Sequence, residues 1–226
     1  MSAVMPTYGR YNLSFERGEG AYLFATDGRR FLDFATGIAV NSLGHCHPHL
    51  VKVVQEQAAM LWHTSNLYDI PGQIKLADRL SDATFADSVF FCNSGLEAVE
   101  GAIKLARRYQ YANGAPERWR FVTCEGSFHG RSLTSIAASK NPNHLEGFGP
   151  EADGFDMVAY GNLNELRAAI TPETAGILVE PVQGESGIRP ADLGYLRSLR
   201  EIADEFGVLL VFDEVQCGAG RTGKFS

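Results

Sequence analysis

Val208 to Phe212 places five apolar residues in succession, and the run then breaks into Asp213-Glu214 and a glycine-rich turn, Gly218-Ala219-Gly220. A short apolar run with polar and glycine boundaries predicts a strand covered on both faces. Similar runs predict strands at Ser88–Cys92, Phe121–Cys124, Asp156–Tyr160 and Gly176–Val179. Between them the apolar spacing changes to that of helices. Pro71–Leu80, Ser94–Tyr111, Leu163–Ile170 and Tyr195–Phe206 fit a helical period, and Leu96, Val99, Ile103 and Ala106 share one face of the second. Strands separated by helices imply an α/β fold, a mainly parallel sheet with helices on both faces. From Ser65 to the end this reads as one domain. Ahead of it, Ala21–Phe34 predicts two short strands around the Asp27-Gly28 turn, and Pro48 opens a helix running to about His63. The residues before 65 therefore form a separate N-terminal arm. The chain stops at Ser226, just past a buried strand and with no helix to cover it, which is expected of a fragment of a longer protein.

Composition narrows the function. Hydrophobic residues make up 45% of the 226 and charged residues 21%, as in ordinary globular proteins. The net charge is −7 and the basic residues are scattered, which speaks against a nucleic-acid or membrane partner. No apolar start suggests a signal peptide, so a cytoplasmic location is expected. Four cysteines, Cys46, Cys92, Cys124 and Cys217, lie far apart and read as reduced packing residues. His45, His47 and His49 alternate, but Gly44 and Pro48 interrupt them and no carboxylate completes a ligand set, so no metal is expected.

Candidate chemistry gathers where strands give way to loops. A carboxylate at the carboxyl end of a buried strand, Asp213, lies where open α/β sheets bind ligands, and something positive should face it. Ser94 and Glu97 have capping-box spacing at a helix start, and Gly95 leaves room there. Such a start either merely caps a helix or holds a phosphate on free N–H groups. Phe128, in Ser127-Phe128-His129-Gly130-Arg131, offers a flat face, and Arg131 a guanidinium suited to a carboxylate. His129 reads either as a base or as a structurally satisfied residue. Glu185 puts a further carboxylate near the end of the Gly176 strand. Gly218 to Lys224 matches a GxGxxG turn, but Asp213 to Gln216 separates it from its strand, which disfavours a nucleotide. A planar ring between Phe128 and Val215, with its phosphate at Ser94, Gly95 and Leu96 and a protonated nitrogen on Asp213, describes pyridoxal 5'-phosphate better than a nucleotide.

The runs NSGLEAVEGAIKLAR, SFHGRS, EPVQGE and DEVQCGAGRTG, in that order, resemble the class III (subgroup II) pyridoxal-phosphate aminotransferases. Upstream, DGRRFLDFATGIAVNSLGHCHP and LWHTSNLY are most similar to the acetylornithine aminotransferase branch. The resemblance implies fold type I and an obligate homodimer. Residues 1–64 become an N-terminal arm with part of a small domain, and 65–226 an incomplete cofactor-binding large domain. It implies phosphate contacts at Ser94, Gly95 and Leu96, stacking by Phe128 with Val215 opposite, Asp213 on the pyridine nitrogen and Gln216 on the phenolic oxygen. Arg131 is implied to hold the α-carboxylate of an amino-acid substrate, and Glu185 to pair with a C-terminal arginine. The implied reaction moves an amino group from N2-acetylornithine, or a related ω-amino substrate, to 2-oxoglutarate. The family's cofactor-bonding lysine falls beyond Ser226, so this chain alone is expected to be inactive. Leu96, Val99 and Cys217 depart from the residues usual at their positions.

Overall fold

The computed structural model describes residues 3–226. The chain divides into one unit that ends at Pro71 and another that begins at Gly72.

In the first unit, β1 (Phe15–Glu19), β2 (Tyr22–Ala25) and β3 (Arg30–Leu32) form an antiparallel sheet in chain order. The β2–β3 hairpin turns through Asp27-Gly28 as expected, with Gly28 at φ +87°. Strand β1, with its polar Phe-Glu-Arg-Gly-Glu sequence, gives no apolar signal and was not anticipated. A short turn, α1 (Thr36–Ala39), precedes α2 (Pro48–Ala58), which starts at Pro48 but stops well before His63. His45 does not gather with its neighbours: its Nε2 lies 2.7 Å from Asp33 Oδ2.

The second unit follows the α/β expectation. Helices α3 (Pro71–Ala83) and α4 (Gly95–Ala112) lead into β4 (Arg120–Cys124). Then come α5 (Leu133–Ser139), α6 (Pro142–Leu145), β5 (Phe155–Val158), α7 (Leu163–Ala169) and β6 (Thr174–Val179). A small hairpin of β7 (Val182–Gln183) and β8 (Arg189–Pro190) precedes α8 (Leu193–Phe206) and β9 (Leu209–Phe212). The main sheet has the order β5-β4-β6-β9, and every pair in it is parallel.

Strand alternation divides the core cleanly. Val122 and Cys124 of β4 and Ile177 and Val179 of β6 face Leu166 of α7 and Leu199, Ile202 and Ala203 of α8. Phe121, Ala175 and Leu178 point the other way, onto Val99, Ile103 and Ala106 of α4 and onto α5. Helix α8 ends on Gly207 at φ +62°, a left-handed cap that suits glycine, and the chain turns directly into β9.

Two expectations need correction. Ser88–Cys92 is no strand: none of the described strands lies beside it to take its backbone hydrogen bonds, and Phe90 is largely exposed. Strand β9 is half-buried along its whole length, because it forms an edge of the sheet and not its centre.

Candidate active site

Parallel strands point their carboxyl ends to one edge, and loops leaving that edge build the site. Glu180 follows β6 directly and Asp213 follows β9, whose ladder continues through the Asp213 N–H to the Val179 carbonyl at 2.9 Å. The loop after β4 carries Phe128, His129, Gly130 and Arg131. The start of α4 adds Gly95 and Leu96. All eight of these residues, with Val99, Val215 and Gln216, line one cleft of about 310 Å³. That volume is at the small end of the range, about 300–1,000 Å³, in which small-molecule sites fall.

The floor is polar and fixed. Asp213 is buried, its Oδ2 lies 2.8 Å from His129 Nδ1, and its Oδ1 accepts the Val215 N–H at 3.1 Å. His129 is the side chain that the fold places against Asp213. Glu180, also buried, accepts the Phe128 N–H at 2.8 Å and the Gly184 N–H at 3.3 Å. Burial pushes the Glu180 carboxyl above its ordinary range, and the Phe128 N–H pulls the other way.

The walls explain two glycines. A β-carbon on Gly95 would stand 2.7 Å from Val215 Cγ1, so the glycine admits a protein side chain where the sequence suggested room for a ligand. Gly130, at φ +122°, would put a β-carbon 2.9 Å from Leu96 Cδ1. Both glycines let the start of α4 close against the loops opposite.

At that start the capping box forms, with one change of partner. Ser94 Oγ accepts the Glu97 N–H at 3.2 Å, while Glu97 Oε2 takes the N–H of Asn93 and not that of Ser94. The Ala98 N–H goes to the Ser94 carbonyl. The Gly95 and Leu96 N–H groups are left without a protein acceptor among the described residues, at the positive end of an 18-residue helix.

The structure thus brings Gly95, Leu96, Phe128, Arg131, Asp213, Val215 and Gln216 together on one cleft. Ser94 stands one residue outside the lining, as the cap of α4. Glu185 lies apart, exposed on the β7–β8 turn. Arg131 is exposed, with its guanidinium carbon 5.5 Å from the Phe128 ring centre, and it also borders a second cavity with Leu133, Ile136 and His144. Sequence reasoning passed over Glu180 as a cleft residue. The signal was available, since Glu180 follows β6 as Asp213 follows β9. Among the described residues no cluster of three metal ligands forms, and no helix is long and apolar enough to cross a membrane.

A parallel sheet whose carboxyl edge holds a buried aspartate, an aromatic wall and a free helix start defines a phosphate-cofactor enzyme domain. The chain belongs to the class-III aminotransferases: the family model matches residues 4–226. It is 59% identical over 222 residues to the acetylornithine aminotransferase of Agrobacterium fabrum, covering 98% of this chain and 56% of that protein. The Mesorhizobium japonicum acetylornithine aminotransferase is 60% identical over 223 residues, with 99% and 56% covered. Among solved structures, the ornithine aminotransferase of Toxoplasma gondii superposes with a TM-score of 0.93 at 30% identity, covering 99% of this chain and 53% of its own. The N-acetylornithine aminotransferase of Stenotrophomonas maltophilia gives 0.81 at 39% identity, with 95% and 54% covered. The chain therefore spans about half the length of the relatives it matches.

Class-III aminotransferases are pyridoxal-phosphate enzymes, and the cleft fits that group. The two free N–H groups suit a phosphate, Phe128 and Val215 both line the cleft, and Asp213 supplies a buried acceptor.

Proposed function

We propose that this chain is the cofactor-binding part of an aminotransferase that moves an amino group from N2-acetylornithine, or a related ω-amino substrate, to 2-oxoglutarate. The observation that carries the reading is the convergence of Gly95, Leu96, Phe128 and Asp213 on one cleft. The identity to acetylornithine aminotransferases supports the choice of donor.

In this reading the Gly95 and Leu96 N–H groups, on a turn fixed by Ser94, bind the phosphate. Phe128 and Val215 hold the ring flat between them and exclude water from its faces. Asp213 accepts a hydrogen bond from the protonated ring nitrogen, and Gln216 orients the ring through its phenolic oxygen. Arg131 binds the substrate α-carboxylate in bidentate fashion. Glu185, on its exposed turn, is the residue free to pair with an arginine. The bound cofactor supplies an electron sink for the carbanion formed at the substrate carbon. No lysine lines the cleft, so no amine there can bond the cofactor covalently. We place the active protein in the cytoplasm as a homodimer.

That same absence favours a second reading, a non-catalytic remnant that at most binds phosphate ligands or a partner subunit. Equilibrium dialysis with pyridoxal 5'-phosphate, followed by a glutamate-formation assay, separates the possibilities. The proposal expects reversible binding, weakened about three- to tenfold by Phe128→Ala, no turnover by this chain alone, and glutamate formation by a protein completed to its relatives' length, where a remnant stays inactive. Thermal protection by ATP or NAD but not by pyridoxal 5'-phosphate would refute it.

A further inference from the structure

We propose that the cavity beside Arg131 is a subsite for the acyl group of an N2-acylated amino acid, an inference that rests on the function proposed above and its placement of the substrate carboxylate. Arg131 lines both the cleft and this second cavity, which has a volume of about 430 Å³. Its guanidinium, near the Phe128 ring, makes no ion pair among the described residues. In an N2-acylated amino acid the carboxylate and the acylamino group share one carbon. With the carboxylate on Arg131 and the side chain running into the cleft, the acyl group leaves on a third bond. The second cavity is the space that opens from the same guanidinium.

Leu133, Ile136 and Phe148 give this cavity an apolar lining, to which Asn143 and His144 add polar groups. Of the two His144 ring nitrogens, Nδ1 alone is buried without a partner. A proton there would strand a buried donor, whereas a bare acceptor costs less, so the proton belongs on Nε2. His144 is held in place: its N–H donates to the Asn141 carbonyl at 2.9 Å, and its ring packs edge-on to Phe128 with centres 6.0 Å apart. The Asn143 N–H goes to Asn141 Oδ1 at 3.0 Å, and its side-chain amide makes no hydrogen bond among the described residues. Ser132 also lines the cavity, but its hydroxyl is occupied. It donates to Glu100 Oε1 at 2.5 Å and accepts the Ser135 N–H at 3.1 Å.

An acylamino group matches that inventory. It carries one carbonyl acceptor for His144 Nε2–H, one N–H donor for the Asn143 amide oxygen, and an alkyl end for Leu133, Ile136 and Phe148. A free α-ammonium does not match. It would bring a second positive charge beside the Arg131 guanidinium and more donors against the His144 donor, and no carboxylate lines the cavity to receive it. The volume exceeds what an acetyl group fills, so longer alkyl acyl groups are admitted as well.

The test uses probes without an ω-amine, so that no step of amino transfer is involved. These are N-acetyl-L-norvaline, N-butanoyl-L-norvaline and pentanoate, which keeps the carbon chain and carboxylate but has no acylamino group. Isothermal titration calorimetry is run on the unsubstituted chain with and without pyridoxal 5'-phosphate. N-acetyl-L-norvaline should bind about tenfold more tightly than pentanoate, from one hydrogen bond and one buried methyl. The butanoyl probe should bind at least as tightly as the acetyl one. His144→Phe keeps a ring against Phe128 but removes the donor, and should cut the preference about three- to tenfold while pentanoate is unchanged. His144→Gln, whose amide reaches near the Nε2 position, should retain the preference. Leu133→Trp, at a residue that is mostly exposed, should fill the cavity and weaken the butanoyl probe about tenfold, again without changing pentanoate. Equal weakening of all three probes in these variants marks a structural role and overturns the proposal. So does an unsubstituted chain that binds pentanoate as tightly as N-acetyl-L-norvaline, or that binds neither. If His144→Phe fails to fold, Leu133→Trp decides the matter. Absence of pyridoxal 5'-phosphate binding with the acyl preference intact counts against the cofactor role, whereas absence of the preference with the cofactor bound counts against the subsite.

Discussion

The two units handle their apolar residues in opposite ways. From Gly72 onward the sheet is packed on both faces, and Phe121, Leu166, Ile177 and Leu199 are essentially inaccessible. Among the described residues up to Pro71, Ala25 alone is buried, while Val54, Met60, Trp62 and Leu67 stand exposed. Both stretches carry apolar patterns that predict regular structure. The second unit holds its pattern by filling a core, whereas the first holds its hairpins by backbone pairing and short ion pairs such as Asp27–Arg29. An apolar pattern thus predicts elements in both units, but only in the second does it predict burial.

The largest expected effect follows from that contrast. Leu199→Ala should cost about 2–5 kcal/mol in chemical denaturation, the range for a fully packed leucine. Trp62→Ala, at a residue 87% exposed, should change stability by no more than about 0.5 kcal/mol. Comparable losses from the two would break the comparison and mean that the first unit's apolar face is covered in solution. A smaller effect separates the helix starts. Ser94→Ala removes a formed cap and should cost about 1 kcal/mol, whereas His47, which makes no side-chain cap on α2, should tolerate alanine at little cost. The smallest effect is electrostatic. Burial raises the Glu180 carboxyl, so the native state keeps its proton at a pH where the unfolded chain has lost it. Stability from this group is full below the ordinary glutamate range and is lost as pH rises through the raised value. The denaturation midpoint of the unsubstituted chain should fall across that window, and Glu180→Gln should flatten the fall.

Much of the second unit was legible because β6 is buried at all six positions and α4 at Val99, Ile103 and Ala106, so tertiary burial agrees with local pattern. The misreadings arose where pairing decides. Ser88–Cys92 has the composition of a strand but no neighbour to bond, and β1 has a neighbour but not the composition. In the candidate site, Phe128, Asp213 and the Ser94 turn could be found one at a time from their places after strands or before a helix. The His129–Asp213 contact could not, since it joins residues 84 apart in sequence. The reason for Gly95 was equally hidden. Its missing β-carbon answers to Val215, which the sheet alone brings near.

The Gly95–Val215 contact has a bearing on synthesis. A growing polypeptide exposes the start of α4 early, and the loop at Gly130 can close on Leu96 next, but the contact at Gly95 waits until Val215 has left the ribosome. Asp213 becomes available at nearly the same moment, and His129 has waited for it since the loop after β4 emerged. The cleft is thereby left unfinished until β9 and the turn after it have emerged, so a nascent chain that stalls earlier lacks the Asp213 and Val215 side of it.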